Sequence, residues 1–257
     1  MSGRLLGRVV STLLAACVGA ALLSGSDQPV TARPYPRWQQ IGHPPMSPRS
    51  HALGVHVRHR VLVLGGFDRT GHVPLDGAAY DVQTGRWQHL RTPVAVTDRD
   101  RAVVAAGIVV IRHVTPGRRV AWWTYDARHD TWARLRGVPV GAGAPTAFHS
   151  EVYAPAGRHV VVYSVELDRW TRLPVDRRTP LLTRREVSAS RQGTVVTGYA
   201  AGHPRRLLAD RWDGLTWTRS QAASPRPVVA APAASTRVTI GGRALVVRQR
   251  TAWIRLP

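Results

Sequence analysis

The sequence predicts an all-β chain built from a repeated unit of about four strands, and three observations carry that expectation. A tyrosine precedes a tryptophan by seven residues three times, at Tyr80 and Trp87, Tyr125 and Trp132, and Tyr163 and Trp170. Tryptophans at 38, 87, 132, 170, 217 and 253 recur at a mean interval of 43 residues, the length of a four-stranded propeller blade. After Arg33, helical periodicity is hard to find, whereas runs of Val, Thr and aromatic residues bounded by Gly and Pro are frequent. About five blades are expected over residues 33–257, or six if one degenerate unit escapes the pattern.

The N-terminus stands apart from this pattern. Arg4 and Arg8 precede an apolar run from Val9 to Leu23, followed by small and polar residues, which is the order of a secretory signal peptide over residues 1–32. The run is shorter than the roughly 20 residues a spanning helix needs, so a retained anchor is the weaker alternative. Cys17, in Leu14-Ala15-Ala16-Cys17, resembles a lipobox, where lipidation of the thiol would tie the chain to a membrane; ordinary cleavage after Ala32 is the competing expectation. Either route leaves no cysteine for a disulfide within the mature chain, which must hold by core packing alone. The expected location is extracellular or attached to the envelope.

The first complete unit contains the strand Val61 to Leu64, closed by Gly65-Gly66. Paired glycines allow positive φ and close approach of a neighbouring strand. From Tyr80 to Trp87 the chain has room for a strand end, a tight turn at Gln83-Thr84-Gly85 and a new strand, which is a hairpin. The unit recurs at Val120–Leu135 and Val160–Pro174, then at Leu207–Ser220, where Trp212-Asp213 replaces the tyrosine and Trp217 closes. A fifth unit ends around Trp253, and the Trp38 strand is expected to close the ring by joining it.

A strand ending in a double glycine, then a tyrosine, then a tryptophan six or seven residues later resembles the Kelch repeat, the unit of the galactose oxidase central domain. The resemblance is fullest in the first unit; the second has Arg112-His113 in place of the glycines. WD40 would need a recurring Trp-Asp, and Trp212-Asp213 is the lone instance. Resemblance to galactose oxidase implies a copper radical site that needs a cysteine, and the mature chain has none, so that chemistry is not expected. No other cofactor is expected either.

Among candidate functional residues, His51, His56 and His59 lack an acidic or cysteine partner at ligand spacing, so no metal site is expected. Asp81, Asp126 and Asp213 follow the hairpin aromatics and suit turn chemistry. Asp100, Glu151 and Glu186 fall near the expected starts of innermost strands and could ring one mouth of the channel, the arrangement a glycan hydrolase would need. Charge gives the other candidates. All 36 basic residues are arginine, and cleavage after Ala32 would leave 34 of them against 14 acids, a net charge of +20. Adjacent pairs stand at Arg118-Arg119, Arg177-Arg178, Arg184-Arg185 and Arg205-Arg206. Guanidinium forks match carboxylate and phosphate, so the expectation is a non-catalytic binding module for an anionic envelope polymer, lipid headgroups or a protein. Nucleic acid is not an expected partner of an exported chain.

Overall fold

A computed structural model describes residues 38–115, 117, 119–175 and 180–222, with the backbone of three further strands at 235–240, 243–248 and 251–255. The signal segment 1–32, Cys17, Arg118, Arg177 and Arg178 lie outside the described residues. Every strand among the described residues belongs to one of five four-stranded antiparallel sheets. The first blade is β2 (Leu53–Val57), β3 (Arg60–Leu64), β4 (Asp76–Asp81) and β5 (Arg86–Arg91); the second is β6 (Arg101–Ala105), β7 (Ile108–Val114), β8 (Val120–Asp126) and β9 (Thr131–Arg134). The third is β10 (Thr146–Phe148), β11 (Glu151–Ala156), β12 (His159–Ser164) and β13 (Arg169–Arg172). The fourth is β14 (Thr183–Ser190), β15 (Gly193–Ala200), β16 (His203–Trp212) and β17 (Trp217–Gln221).

The fifth blade joins the two ends of the chain. β18 (Ser235–Ile240), β19 (Arg243–Arg248) and β20 (Thr251–Arg255) are completed by β1 (Trp38–Gln40), which pairs Trp38 with Arg255 and Gln40 with Trp253. First strands of successive blades lie side by side, β2 by β6, β6 by β10 and β10 by β14, and β18 lies by β2. This is an all-β propeller. Trp38 and Trp253 therefore belong to one blade: Trp253 sits on its third strand, so it does not close a unit as the spacing suggested, and the fourth strand is the one that carries Trp38.

In the first three blades the apolar runs are explained by burial on both faces of the sheet. In β12, Val161 and Tyr163 pack toward the second blade, while Val160 and Val162 pack toward the fourth. In β7, Val109 and Ile111 face the first blade and Val110 the third. Alternate side chains leave opposite faces of a strand, so a sheet between two neighbours needs apolar residues without alternation. Each fully buried aliphatic residue of this kind contributes about 1.5–3 kcal/mol.

Gly65 and Gly66 end β3 with φ of 58° and 83°. Their amides donate to Asp76 O at 2.9 Å and Val96 O at 2.8 Å. A Cβ on Gly65 would lie 2.0 Å from Val96 O, in the connection to the second blade, and one on Gly66 would lie 2.6 Å from Ser50 O.

The hairpins joining third and fourth strands place each aromatic pair in direct register, Tyr80 opposite Trp87, Tyr125 opposite Trp132 and Tyr163 opposite Trp170. Ring centroids are 5.1, 4.7 and 5.2 Å apart. In the fourth blade Trp212 and Trp217 form the last pair before the turn, one step nearer to it than the tyrosine pairs, at 5.5 Å. Asp81 Oδ1 accepts from the amides of Gln83 and Thr84, and Asp213 Oδ1 from those of Leu215 and Thr216. The Tyr125 hydroxyl donates to Asp130 at 2.7 Å and that of Tyr163 to Asp168 at 2.6 Å.

Two outcomes follow. Burial, reinforced by the adjoining carboxylates, raises the hydroxyl pKa of Tyr125 and Tyr163 above that of free tyrosine. A raised folded pKa means stability present below the unfolded value and lost above it, so denaturant melts should show falling stability above pH about 10. Tyr125→Phe should flatten that limb and cost about 1 kcal/mol at neutral pH. Separately, Gly65→Ala should destabilise by more than about 3 kcal/mol, whereas Gly137→Ala, which also has positive φ but nothing within 4 Å of its Cβ position, should cost about 1 kcal/mol.

Candidate functional site

Antiparallel blades give the ring two unlike faces. Loops between second and third strands, and the connections between blades, emerge on one; turns between first and second, and between third and fourth strands, emerge on the other. The latter, the hairpin face, holds Asp81, Asp126, Asp130, Glu166, Asp168 and Asp213 in the turns joining third and fourth strands. On the connection face stand Arg119, in the loop after β7, Arg184 and Arg185, at the start of β14, and Arg205 and Arg206, at the start of β16.

These arginines differ in how they are held. Arg205 and Arg206 are exposed. Arg184 lies at a φ of 48° where the pairing of β14 with β15 slips between Thr183 and Glu186. Arg185 is half-buried and donates through Nη1 to the carbonyls of Gly157 and, at 3.2 Å, His159. Burial lowers its guanidinium pKa and Arg158 pushes the same way, against the pull of Asp210.

A cleft over the fourth blade brings some of them together with residues the sequence did not single out. Arg158, Arg185, Arg219 and Asp210 share its wall with Leu182, Val196 and Trp217. Across Pro180 and Arg219 it continues toward His203, Arg206 and Gln221, then to Arg205. Arg219 is clamped to Asp210 through Nε to Oδ1 at 2.5 Å and Nη2 to Oδ2 at 2.7 Å, and Nη2 also donates to Pro180 O at 2.7 Å. Arg158 occupies the two-residue turn from β11 to β12, and only the arrangement of blades brings it near Arg185.

The three acids expected around one channel mouth are dispersed. Asp100 precedes β6 and is fully buried; it accepts from the amides of Thr97 and Val114, each at 2.8 Å, and contacts His113 Nδ1 at 3.1 Å. It thus ties the start of β6 to the end of β7, where the strand register puts His113 and Val114 at the places of Gly65 and Gly66. Glu151 begins β11, a second strand, at the hairpin-face end, and accepts the Tyr153 hydroxyl. Glu186 is exposed within β14, opposite Thr197. Strand β10 is only Thr146–Phe148, so the first strand of the third blade ends before Glu151, which therefore does not lie at the start of an innermost strand.

Most described carboxylates are held by groups other than arginine. Turn amides hold Asp68, Asp81 and Asp213; tyrosine hydroxyls hold Asp130, Asp168 and Glu151; histidine rings reach Asp98, Asp100 and Asp126. Arg49 takes Asp76 through two contacts of 2.9 and 3.0 Å. Among the described residues no group of three or more His, Cys, Asp or Glu side chains could hold a metal ion.

Five four-stranded sheets ordered by their inner strands define the class, a β-propeller. No protein-family model and no curated protein matches the sequence. Among solved structures the chain is similar to one described as "Structure of YjhT", with 11% identity, a TM-score of 0.47, and 80% of this chain and 74% of that one covered.

Asp100→Ala should cost about 3–5 kcal/mol in denaturant melts, because it leaves two part-buried amides and a buried histidine without their acceptor. Glu186→Gln should change stability by less than about 0.5 kcal/mol.

Proposed function

We propose that this chain is an exported, non-catalytic, Kelch-type propeller that binds an anionic polymer of the cell envelope through its connection face. The observation that carries the proposal is how the acids are spent. Turn amides, tyrosines and histidines take most of them, and six sit in turns on the opposite face. The arginine charge is therefore poorly neutralised from within, and Arg119, Arg184, Arg185, Arg205 and Arg206 concentrate it on one side.

The cleft over the fourth blade suits a chain of anions better than a single compact one. Its arginines are spread along a path from Arg158 to Arg205, with Trp217 and Leu182 as apolar wall. Such an array recognises carboxylate or phosphate by charge and fork geometry, with contributions that salt screens. Kelch identity is supported by the first blade, where Gly65-Gly66 follow a buried strand and Tyr80 faces Trp87. Export is supported by Arg4, Arg8 and the apolar run to Leu23, and Cys17 is the candidate for lipid attachment.

Two polymers serve as probes, poly(glycerol phosphate) for phosphate and poly-glutamate for carboxylate. The logarithm of affinity should fall linearly with the logarithm of salt, and Arg205→Ser with Arg206→Ser should shallow the slope by about 1.5 and weaken binding at least about tenfold at low salt. Affinity that does not change with salt, or a slope unmoved in the double variant, would refute the connection face as the binding surface.

A further inference from the structure

We infer a second binding site on the hairpin face, a crevice between the second and third blades that takes a guanidinium side chain presented by a protein partner beside an acidic residue. Because the blades repeat, one interface can serve as the template for the next. Between the first and second blades, Tyr125 donates to Asp130 Oδ1 at 2.7 Å, and Gln88 Nε2 donates to Asp130 Oδ2 at 3.1 Å. The guanidinium of Arg60 lies near the same hydroxyl, where its charge opposes the pKa rise that burial causes, and its buried Nη1 makes no hydrogen bond. An arginine and an amide from the first blade thus fill the space beside a tyrosine and carboxylate of the second.

Between the second and third blades the acceptor half is repeated without its donors. Tyr163 donates to Asp168 Oδ1 at 2.6 Å, and Asp168 has a φ of 45° against 55° for Asp130, at the same turn position. Strand register gives the missing partners. Arg60 stands opposite Asp81, and its counterpart opposite Asp126 is Ile108. Gln88 stands opposite Ala79, and its counterpart opposite Thr124 is Ala133. Neither replacement carries a donor or reaches as far.

The space they leave is a crevice of about 490 Å³ lined by Ile108, Ala133, Tyr163 and Asp168, with Arg134 and Arg136 also in its wall. Among the described residues no side chain donates to the second oxygen of Asp168. A guanidinium entering there would take the place that Arg60 and Gln88 fill one interface earlier and donate to Asp168 as Gln88 donates to Asp130, with guanidinium to carboxylate the stronger form of that contact. Arg134 and Arg136 restrict the choice further. They would repel a bare cation, so the arginine must arrive with an acidic neighbour that these two can meet. The fitting partner is a protein segment with Arg beside Asp or Glu, and a purely basic segment does not fit.

The test uses the whole chain and the capped tripeptide acetyl-Glu-Arg-Glu-amide, with the citrulline tripeptide as its uncharged match, followed by calorimetry or NMR titration. The arginine peptide should bind saturably with Kd of about 1 mM or tighter, and the citrulline peptide at least about tenfold more weakly. Asp168→Asn should weaken the arginine peptide about tenfold. Ile108→Arg with Ala133→Gln, which transplants the first interface onto the second, should abolish binding while the strand signature in circular dichroism is kept. Absence of saturable binding, equal binding of citrulline, or undiminished binding by the folded filled variant each overturns the proposal. Should the filled variant fail to fold, the two peptides on the unaltered chain still decide.

Discussion

Everything in this fold depends on sheets that are apolar on both faces. A blade such as β10 to β13 buries Val161 and Tyr163 on one side and Val160 and Val162 on the other, so it is stable only between neighbours. Hydrophobic stabilisation is shared across interfaces, since the described core clusters each span two blades. Without disulfides, the ring must be closed by strand pairing, and the register of Trp38 to Gln40 on β20 does this by hydrogen bonds between the two ends of the chain. The fifth blade is therefore the place where chain ends and ring integrity meet.

The aromatic hairpins are the second layer of this construction. Each places a ring pair across two strands and, in the second and third blades, aims a tyrosine hydroxyl at an aspartate five residues on. That aspartate has a positive φ, which a short polar residue tolerates better than most; the first blade has Gly85 at the equivalent place, at 69°. The need to end a tight turn thus brings a carboxylate beside the blade interface. Once there, it is available either to a neighbouring side chain, as Asp130 is to Gln88, or to an outside one.

Much of this was legible in the sequence because it is periodic. Seven-residue Tyr to Trp spacing located three hairpins correctly, and the tryptophan interval led to five blades. It misassigned Trp253, since a tryptophan on a third strand looks the same in sequence as one on a fourth. Site residues were harder to see for a different reason. The adjacency of Arg184 to Arg185 is visible in the sequence, but Arg158 and Arg219 reach the same cleft from a two-residue turn and an outer strand, and only blade packing reveals that. The placing of Glu151 failed because the first strand of its blade is only three residues long and ends before it, which leaves Glu151 at the start of the second strand.

The positive charge is best understood through the roles taken by the acids. An aspartate that caps a turn with two amides, as Asp213 does, is already engaged by hydrogen bonds that stabilise its ionised form and lower its pKa. It neutralises little charge on the far side of the ring, because a Debye length of about 8 Å at physiological salt is short against the length of a blade strand. Turn chemistry fixes most acids at one face, whereas arginines, with no comparable duty in the hairpins, are distributed by the connections. A charge imbalance that begins as composition therefore becomes, through the geometry of the propeller, a difference between two faces, and a polymer of anions would meet the connection face first.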